Sequence, residues 1–362
     1  MYSESDIEAA VAAGALTPEA AASLRNWVAA RASTSVVDEE HFRLLTGFND
    51  IFVAIAATIL LFAVGWIGQA FGPKIADVGP SPFAGLFVAA TAWGLAEFFT
   101  KKRRMALPSI LLLIAFTLGV LMTAFSTAVL AIGENAFEDN QRLVALVAAG
   151  SAAVAAGATW LHWRRFRVPI TVAVGAATVV GVVMSLVAST IGDTPGLEDL
   201  MMITALVLGI AVFLFAMWWD ASDPRRETRR SDVAFWLHLL SAPLIVHPIF
   251  SLLGLTDGDA SVGEALVVLL VYVLLGFTAL AIDRRALLVS ALAYVLFALI
   301  TLFRQFGAVE LNIALAALVI GSGLLLLSAF WHNARRAIVR PLPAGLQARL
   351  PVLDRITVPA TA

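Results

Sequence analysis

Between positions 51 and 334 the chain alternates long uncharged apolar runs with short polar segments, and the runs share one length. They are Ile51–Ala70, Phe83–Thr100 (interrupted by Glu97), Met105–Gly133, Leu143–Trp163, Val168–Gly192, Leu200–Trp219, Val233–Thr256, Ala265–Ile282, Ala286–Phe303 and Leu311–Ala334. A bilayer core of roughly 30 Å is crossed by about 20 helical residues, because a helix satisfies each backbone N–H and C=O without water. The pattern therefore predicts an all-α, polytopic membrane bundle of about ten transmembrane helices. It divides the chain into a cytoplasmic helical cap (1–47), the bundle (48–334) and a cytoplasmic C-terminal tail (335–362).

Composition agrees: 60% hydrophobic and 14% charged residues with a mean hydropathy of +0.90 are outside the range of ordinary soluble domains. The placement of charge adds orientation. Of the 24 basic residues, 21 lie before the first run or after an even-numbered one, and only Lys74, Arg142 and Arg304 lie in the alternate loops. Basic loops stay inside, so both termini are expected in the cytoplasm, with the acidic loops carrying Glu134, Asp139, Asp193 and Asp257 outside. Lysine is confined to Lys74, Lys101 and Lys102, a bias that points to a GC-rich bacterial genome. The net charge of -2 gives no basic excess for a nucleic-acid partner, which leaves the lipid bilayer as the main one.

The basic clusters begin at Lys101, Arg164, Arg225 and Arg284, spaced by 63, 61 and 59 residues, so the repeating unit is a helical hairpin. Each hairpin ends on a similar group: TWLHWRR (159–165), MWWD (217–220), AIDRR (281–285) and FWHNARR (330–336). Tryptophan beside arginine suits the headgroup level, so His162 and His332 are read as interfacial anchors. Glu97 and Asp220, near Lys101 and Arg225, are expected to pair with them and snorkel outward.

Before the first run, Ser5 and Glu8 have capping-box spacing and Gly14 suits a helix stop. Thr17-Pro18-Glu19 supplies an N-cap, a proline at the first helical position and an acidic first turn. A further short helix is expected from Asp38-Glu39-Glu40 through His41 and Leu45. The helix after Thr17 puts Ala20, Leu24, Trp27 and Val28 on one face, so Leu24, Trp27 and Val28 are the candidates for a cytoplasmic partner or self-association, against simple packing on the chain's own loops.

The stretches DIEAAVAAGALTPEAAASL, FNDIFVAIAATILLF and AIDRRALLVSALAYVLFAL together resemble the bacterial membrane proteins of domain of unknown function 2157, most closely over the first seventy or so residues. That resemblance implies a cytoplasmic helical segment ahead of a polytopic inner-membrane bundle. It carries no catalytic motif.

Candidate chemistry is confined to one run, FWLHLLSAPLIVHPIF (235–250), with two histidines and two prolines in an apolar setting. Ionisable groups inside spans are costly and usually face a cavity or a partner. His238 and His247 are nine residues apart, on opposite faces of a straight helix and roughly 13 Å apart along its axis, so they cannot share one metal. Pro243 and Pro248 lack N–H groups, which leaves the carbonyls of Leu239 and Leu244 without helical donors and predicts a kink. Those carbonyls need Ser241, a neighbouring helix or water, and in the last case His247 and Ser251 line a polar pocket.

The alternative for the histidines is a satisfied contact between packed helices. Haem ligation would need another histidine at matching depth, and neither His162 nor His332 provides one for His247. With no cysteine there is no disulfide, thiolate or Cys-type zinc site, and no HExxH, GxSxG or phosphate-loop motif occurs. No cofactor and no enzymatic activity are expected. The small-residue run Gly150–Ala158 is expected to allow close helix packing. Two function classes follow: a small-solute, ion or proton permease acting through the seventh helix by way of His247, Ser251, Pro243, Pro248 and His238, or a non-catalytic scaffold or sensor using the N-terminal helices.

Overall fold

The structure is a computed structural model that describes residues 7, 10–24, 48–191, 196–224, 226, 228–253, 262–305 and 311–353. Residues 7 and 10–24 belong to one compact unit and residues 48–353 to another. In the first unit a helix ends at Gly14, whose φ of 71° places it in the left-handed region that glycine tolerates. Gly14 N–H donates to Val11 O (3.0 Å) and Ala15 N–H to Ala10 O (2.9 Å), the bond pair of a Schellman stop. The next helix opens as read from the sequence, with Ala20 N–H donating to Thr17 Oγ1 at 3.1 Å. Leu24 is exposed. Trp27, Val28, the Ser5–Glu8 box and the Asp38–Leu45 helix lie outside the described residues.

The second unit is a stack of helical hairpins, with no strand among the described residues. Its helices are α1 (Phe48–Phe71), α2 (Pro82–Ala96, continued by a wide turn at Glu97–Lys102), α3 (Ala106–Ile132), α4 (Gln141–Phe166) and α5 (Ile170–Ile191). They continue as α6 (Leu197–Ala221), α7 (Arg229–Leu252), α8 (Val262–Ile282), α9 (Ala286–Gln305) and α10 (Asn312–Ala329), then the short α11 (Trp331–Val339) and α12 (Ala344–Gln347). Among the described residues nine helices are long and apolar enough to cross a bilayer. The tenth expected span is α9, whose described apolar stretch is Leu288–Arg304. The protein is a multi-pass membrane bundle, as the alternation of runs predicts.

Local chemistry explains the helix boundaries. Ser81, Asn140 and Thr228 each accept a backbone N–H at the start of α2, α4 and α7. The hairpin repeat is visible in the backbone: Arg104, Arg167, Arg226 and Asp283, one after each of α2, α4, α6 and α8, all take positive φ between 53° and 58°. Left-handed backbone is uncommon for non-glycine residues, so its recurrence at the same place in four successive hairpins marks one repeated turn.

Consecutive helices pack as pairs, and α7 joins the pairs together: it lies against α5, α6 and α9. Half of its apolar window is buried, against 11–39% for the other eight spans, which makes α7 the most enclosed helix of the nine. The helix runs unbroken through Pro243 and Pro248. The Leu244 carbonyl, which Pro248 cannot bond, lies against Gly209 of α6, so that a Cβ at 209 would stand only 2.7 Å from Leu244 O and 2.8 Å from its carbon. Helix packing, one of the expected alternatives, thus covers that carbonyl. Ser241 turns its hydroxyl to His238 O (3.0 Å).

Close packing elsewhere uses Gly68, Gly85 and Gly119, with Cβ positions on Gly85 and Gly119 falling within 2.7 Å of each other's carbonyl oxygens. The small-residue run of α4 packs closely against α5, as expected, through one face of the run. Ser151, Ala152 and Ala155 are buried, but Gly150 and Gly157 face open space. We therefore expect Gly209→Ala to lower stability by about 1–3 kcal/mol through overpacking against fixed backbone. Gly150→Ala should be neutral, or stabilising by up to roughly 1 kcal/mol through helix propensity. Paired thermal melts in detergent check both.

Two boundaries differ from the sequence reading. The run expected as one span to Ala334 breaks at Phe330, whose φ/ψ of -106°/16° ends α10 before α11 begins. The segment expected as a tail then continues in the bundle's own unit, with Arg335 and Val339 buried.

Candidate functional site

Arginines at or after the ends of α4, α6, α8 and α10 build three acid–arginine groupings. Asp220, one residue from the end of α6, is 2% exposed and takes Arg284 Nη2 on Oδ1 at 2.7 Å. Its Oδ2 accepts His238 Nε2 at 2.8 Å. Arg284, itself 2% exposed, also donates to Ser231 O at 3.1 Å and lies 6.0 Å from the centre of the Phe235 ring. Because a carboxylate only accepts, His238 donates from Nε2, and its buried Nδ1 has no hydrogen-bond partner among the described residues. Phe213 closes the other side of the imidazole, with ring centres 5.3 Å apart.

The second grouping is centred on Asp283, just past the end of α8. Arg226 Nη1 lies 3.0 Å from its Oδ2, Trp331 Nε1 donates to its Oδ1 at 2.7 Å, and Arg335 Nε stands 3.8 Å away. Arg335 also donates to the carbonyls of Val352 (3.1 Å) and Pro351 (2.5 Å), tying residues 351–352 back across this end of the bundle. Burial by itself would raise the Asp283 carboxyl, but Arg226 and Arg335, with the Trp331 hydrogen bond and Arg284, outweigh it and hold the group below the usual carboxylate range. A depressed carboxyl stabilises the folded state fully above its unfolded value of about 3.9, and that contribution is lost as pH falls through the lower folded value. Melting temperature in detergent should therefore stay level from neutral pH to about 5 as far as this group is concerned, then fall below about 4. Asp283→Asn should be less stable at neutral pH and show a shallower acid slope.

The third grouping is the exposed pair of Glu97, after α2, with Arg165 at the end of α4, bonded twice at 2.7 Å. With the Arg165 side chain 44% and the Glu97 side chain 34% exposed, the pair contributes little to stability. In each grouping the acidic residue at one hairpin end meets an arginine from the next hairpin. These contacts correct the expected pairings: Glu97 meets Arg165 in place of Lys101, and Asp220 turns inward to Arg284 and His238 instead of snorkelling. A partner five residues along the chain would have kept Asp220 at the surface, whereas the next hairpin supplies the Arg284 guanidinium inside.

Of the two histidines read as interfacial anchors, the structure corrects His162. His162 is 1% exposed, in a box of Trp93, Phe116 and Phe166 with ring centres 4.5–6.0 Å away, and its Nδ1 lies 3.4 Å from Thr171 Oγ1. It is a core residue. His332 is half-buried on α11.

The residues singled out on α7 divide between two neighbours. His238, Ser241 and Pro248 are buried, and His238 faces α6. His247 and Pro243 are on the exposed side, and His247 Nδ1 lies 2.5 Å from the Tyr294 hydroxyl of α9. Phe250 stacks on the same tyrosine at 4.4 Å, and Ser251 is half-buried one turn beyond His247. The structure thus joins His247 to Tyr294 at an α7–α9 seam and His238 to an ionic group at the α6–α8 end. Tyr294, Asp220, Arg284 and Asp283 were not legible as site residues. The only available signal was the repeated acid-and-arginine hairpin ending, which interfacial anchoring explains equally well. No protein-family model, curated protein or solved structure matches the chain.

Proposed function

We propose that this multi-pass membrane protein is a permease for a small solute, an ion or protons, with α7 as its working helix, and that this conformation is closed at the basic end. The observation that supports the reading most is the fully buried His238–Asp220–Arg284 group, carried in part on the one helix that contains two interior prolines. Ionisable groups enclosed in a membrane bundle are expensive and commonly mark solute or proton routes. Helix ends tied by ion pairs can open or close as a unit when those pairs exchange. The α7–α9 seam with His247, Tyr294 and Ser251 supplies the polar groups of the opposite half. Both termini in the cytoplasm, the bacterial inner membrane as location and kinship with domain of unknown function 2157 belong to the same proposal, supported by the distribution of arginines and by the N-terminal sequence.

Wild-type protein in sealed vesicles should dissipate an imposed pH gradient or carry solute along it faster than empty vesicles. Rates equal to empty vesicles under pH, sodium and potassium gradients would remove the permease reading. The scaffold or sensor would then stand, favoured by the capped helices at Gly14 and Thr17.

A further inference from the structure

A groove runs between the start of α9 and the end of α10, away from the α7 seam. Its walls come from Arg285, Leu288 and Leu292 on one side and Leu324, Leu327 and Trp331 on the other. The spacing is regular on both helices: 285, 288, 289 and 292 occupy one helical face, as do 324, 327, 328 and 331. The cavity measures about 190 Å³ and its lining is apolar except at Arg285 and Ser328. Val289, at the mouth, is 65% exposed, and Leu325 and Leu326 beside it are 74% and 60% exposed, so the groove opens on the surface that faces lipid.

We propose that this groove holds an acyl chain of an anionic phospholipid whose phosphate is met by Arg285. Three observations argue for that occupant. First, the groove extends only about 10 Å along α9 from Arg285, the depth of a few methylenes below the headgroup level, where tryptophan and arginine sit. Second, Arg285 is fixed rather than loose: its guanidinium lies 4.7 Å from the centre of the Trp331 ring, and the Trp331 indole is itself held by Asp283. A guanidinium held over a ring by its face presents N–H edges in a geometry that suits phosphate oxygens. Third, the chain that continues from Trp331 carries further basic side chains at this end of the bundle, with Arg336 and Arg340 exposed. An apolar slot with a basic rim at headgroup level matches an anionic lipid and mismatches a zwitterionic one.

Lipid-dependent thermal unfolding of the full chain tests this. Delipidated protein in mixed micelles should gain melting temperature on titration with phosphatidylglycerol and much less with phosphatidylcholine, while glycerol phosphate without acyl chains should give no gain. Arg285→Gln should weaken the apparent affinity for phosphatidylglycerol roughly fivefold, the effect of one interfacial basic residue. Ser328→Phe, at an exposed position that fills the groove without touching the ionic groups, should abolish the gain and leave the lipid-free melting temperature near wild type. Equal gains from both lipids, or an undiminished phosphatidylglycerol response in Ser328→Phe, would overturn the proposal.

Discussion

Arg284→Met should lower the stability of the bundle by about 3–5 kcal/mol, the range measured when one partner of a buried ion pair is removed. The reason is that Asp220, 2% exposed, would keep only the His238 bond while remaining enclosed. The reverse change, Asp220→Leu, should cost a similar amount by leaving Arg284 buried with Ser231 O as its remaining acceptor in this group. The double variant Asp220→Leu/Arg284→Met is expected to recover most of the loss, because well-packed apolar groups can replace a buried pair at little cost. Chemical or thermal unfolding in detergent measures all three. Additive losses in the double variant would show that the two side chains do not act as one unit.

The second large effect is on transport. His247→Ala is expected to reduce flux to the empty-vesicle level, because the titratable ring at the α7–α9 seam is lost. Stability should change by no more than about 1 kcal/mol, since the ring is exposed and one hydrogen bond to Tyr294 is removed. Tyr294→Phe removes the same hydrogen bond and keeps the imidazole, so it should retain flux. If both variants transport equally and lose the same stability, His247 is an interhelical contact and the path lies elsewhere.

The membrane class, the hairpin organisation and the Gly14 and Thr17 caps were legible because they depend on local pattern: run length, charge alternation and residues a few positions apart. The partners of Asp220 and Glu97 were not. Their arginines lie 64 and 68 residues away, at the end of the next hairpin, and sequence spacing within one helix offered nearer candidates in Arg225 and Lys101. The burial of His162 is hidden in the sequence for a related reason. Its neighbours in sequence include Trp160, Trp163 and Arg164, which suggest an interface, whereas Trp93, Phe116 and Thr171, which enclose it together with Phe166, come from α2, α3 and α5. The two prolines of α7 announce freed carbonyls in the sequence, but what lies against the Leu244 carbonyl is a glycine on another helix.

The central claim is that α7 moves away from its neighbours during function, and the absence of cysteine from the chain makes this directly measurable. Ser241 is fully buried beside His238 in this structure, whereas Ser222 is exposed at the end of α6. Single substitutions Ser241→Cys and Ser222→Cys in sealed vesicles can be exposed to a membrane-impermeant thiol reagent from the basic side. The account predicts rapid labelling at Ser222→Cys and slow, eventually complete labelling at Ser241→Cys, accelerated under a transport gradient. Full labelling at Ser222→Cys with none at Ser241→Cys under any gradient would contradict it.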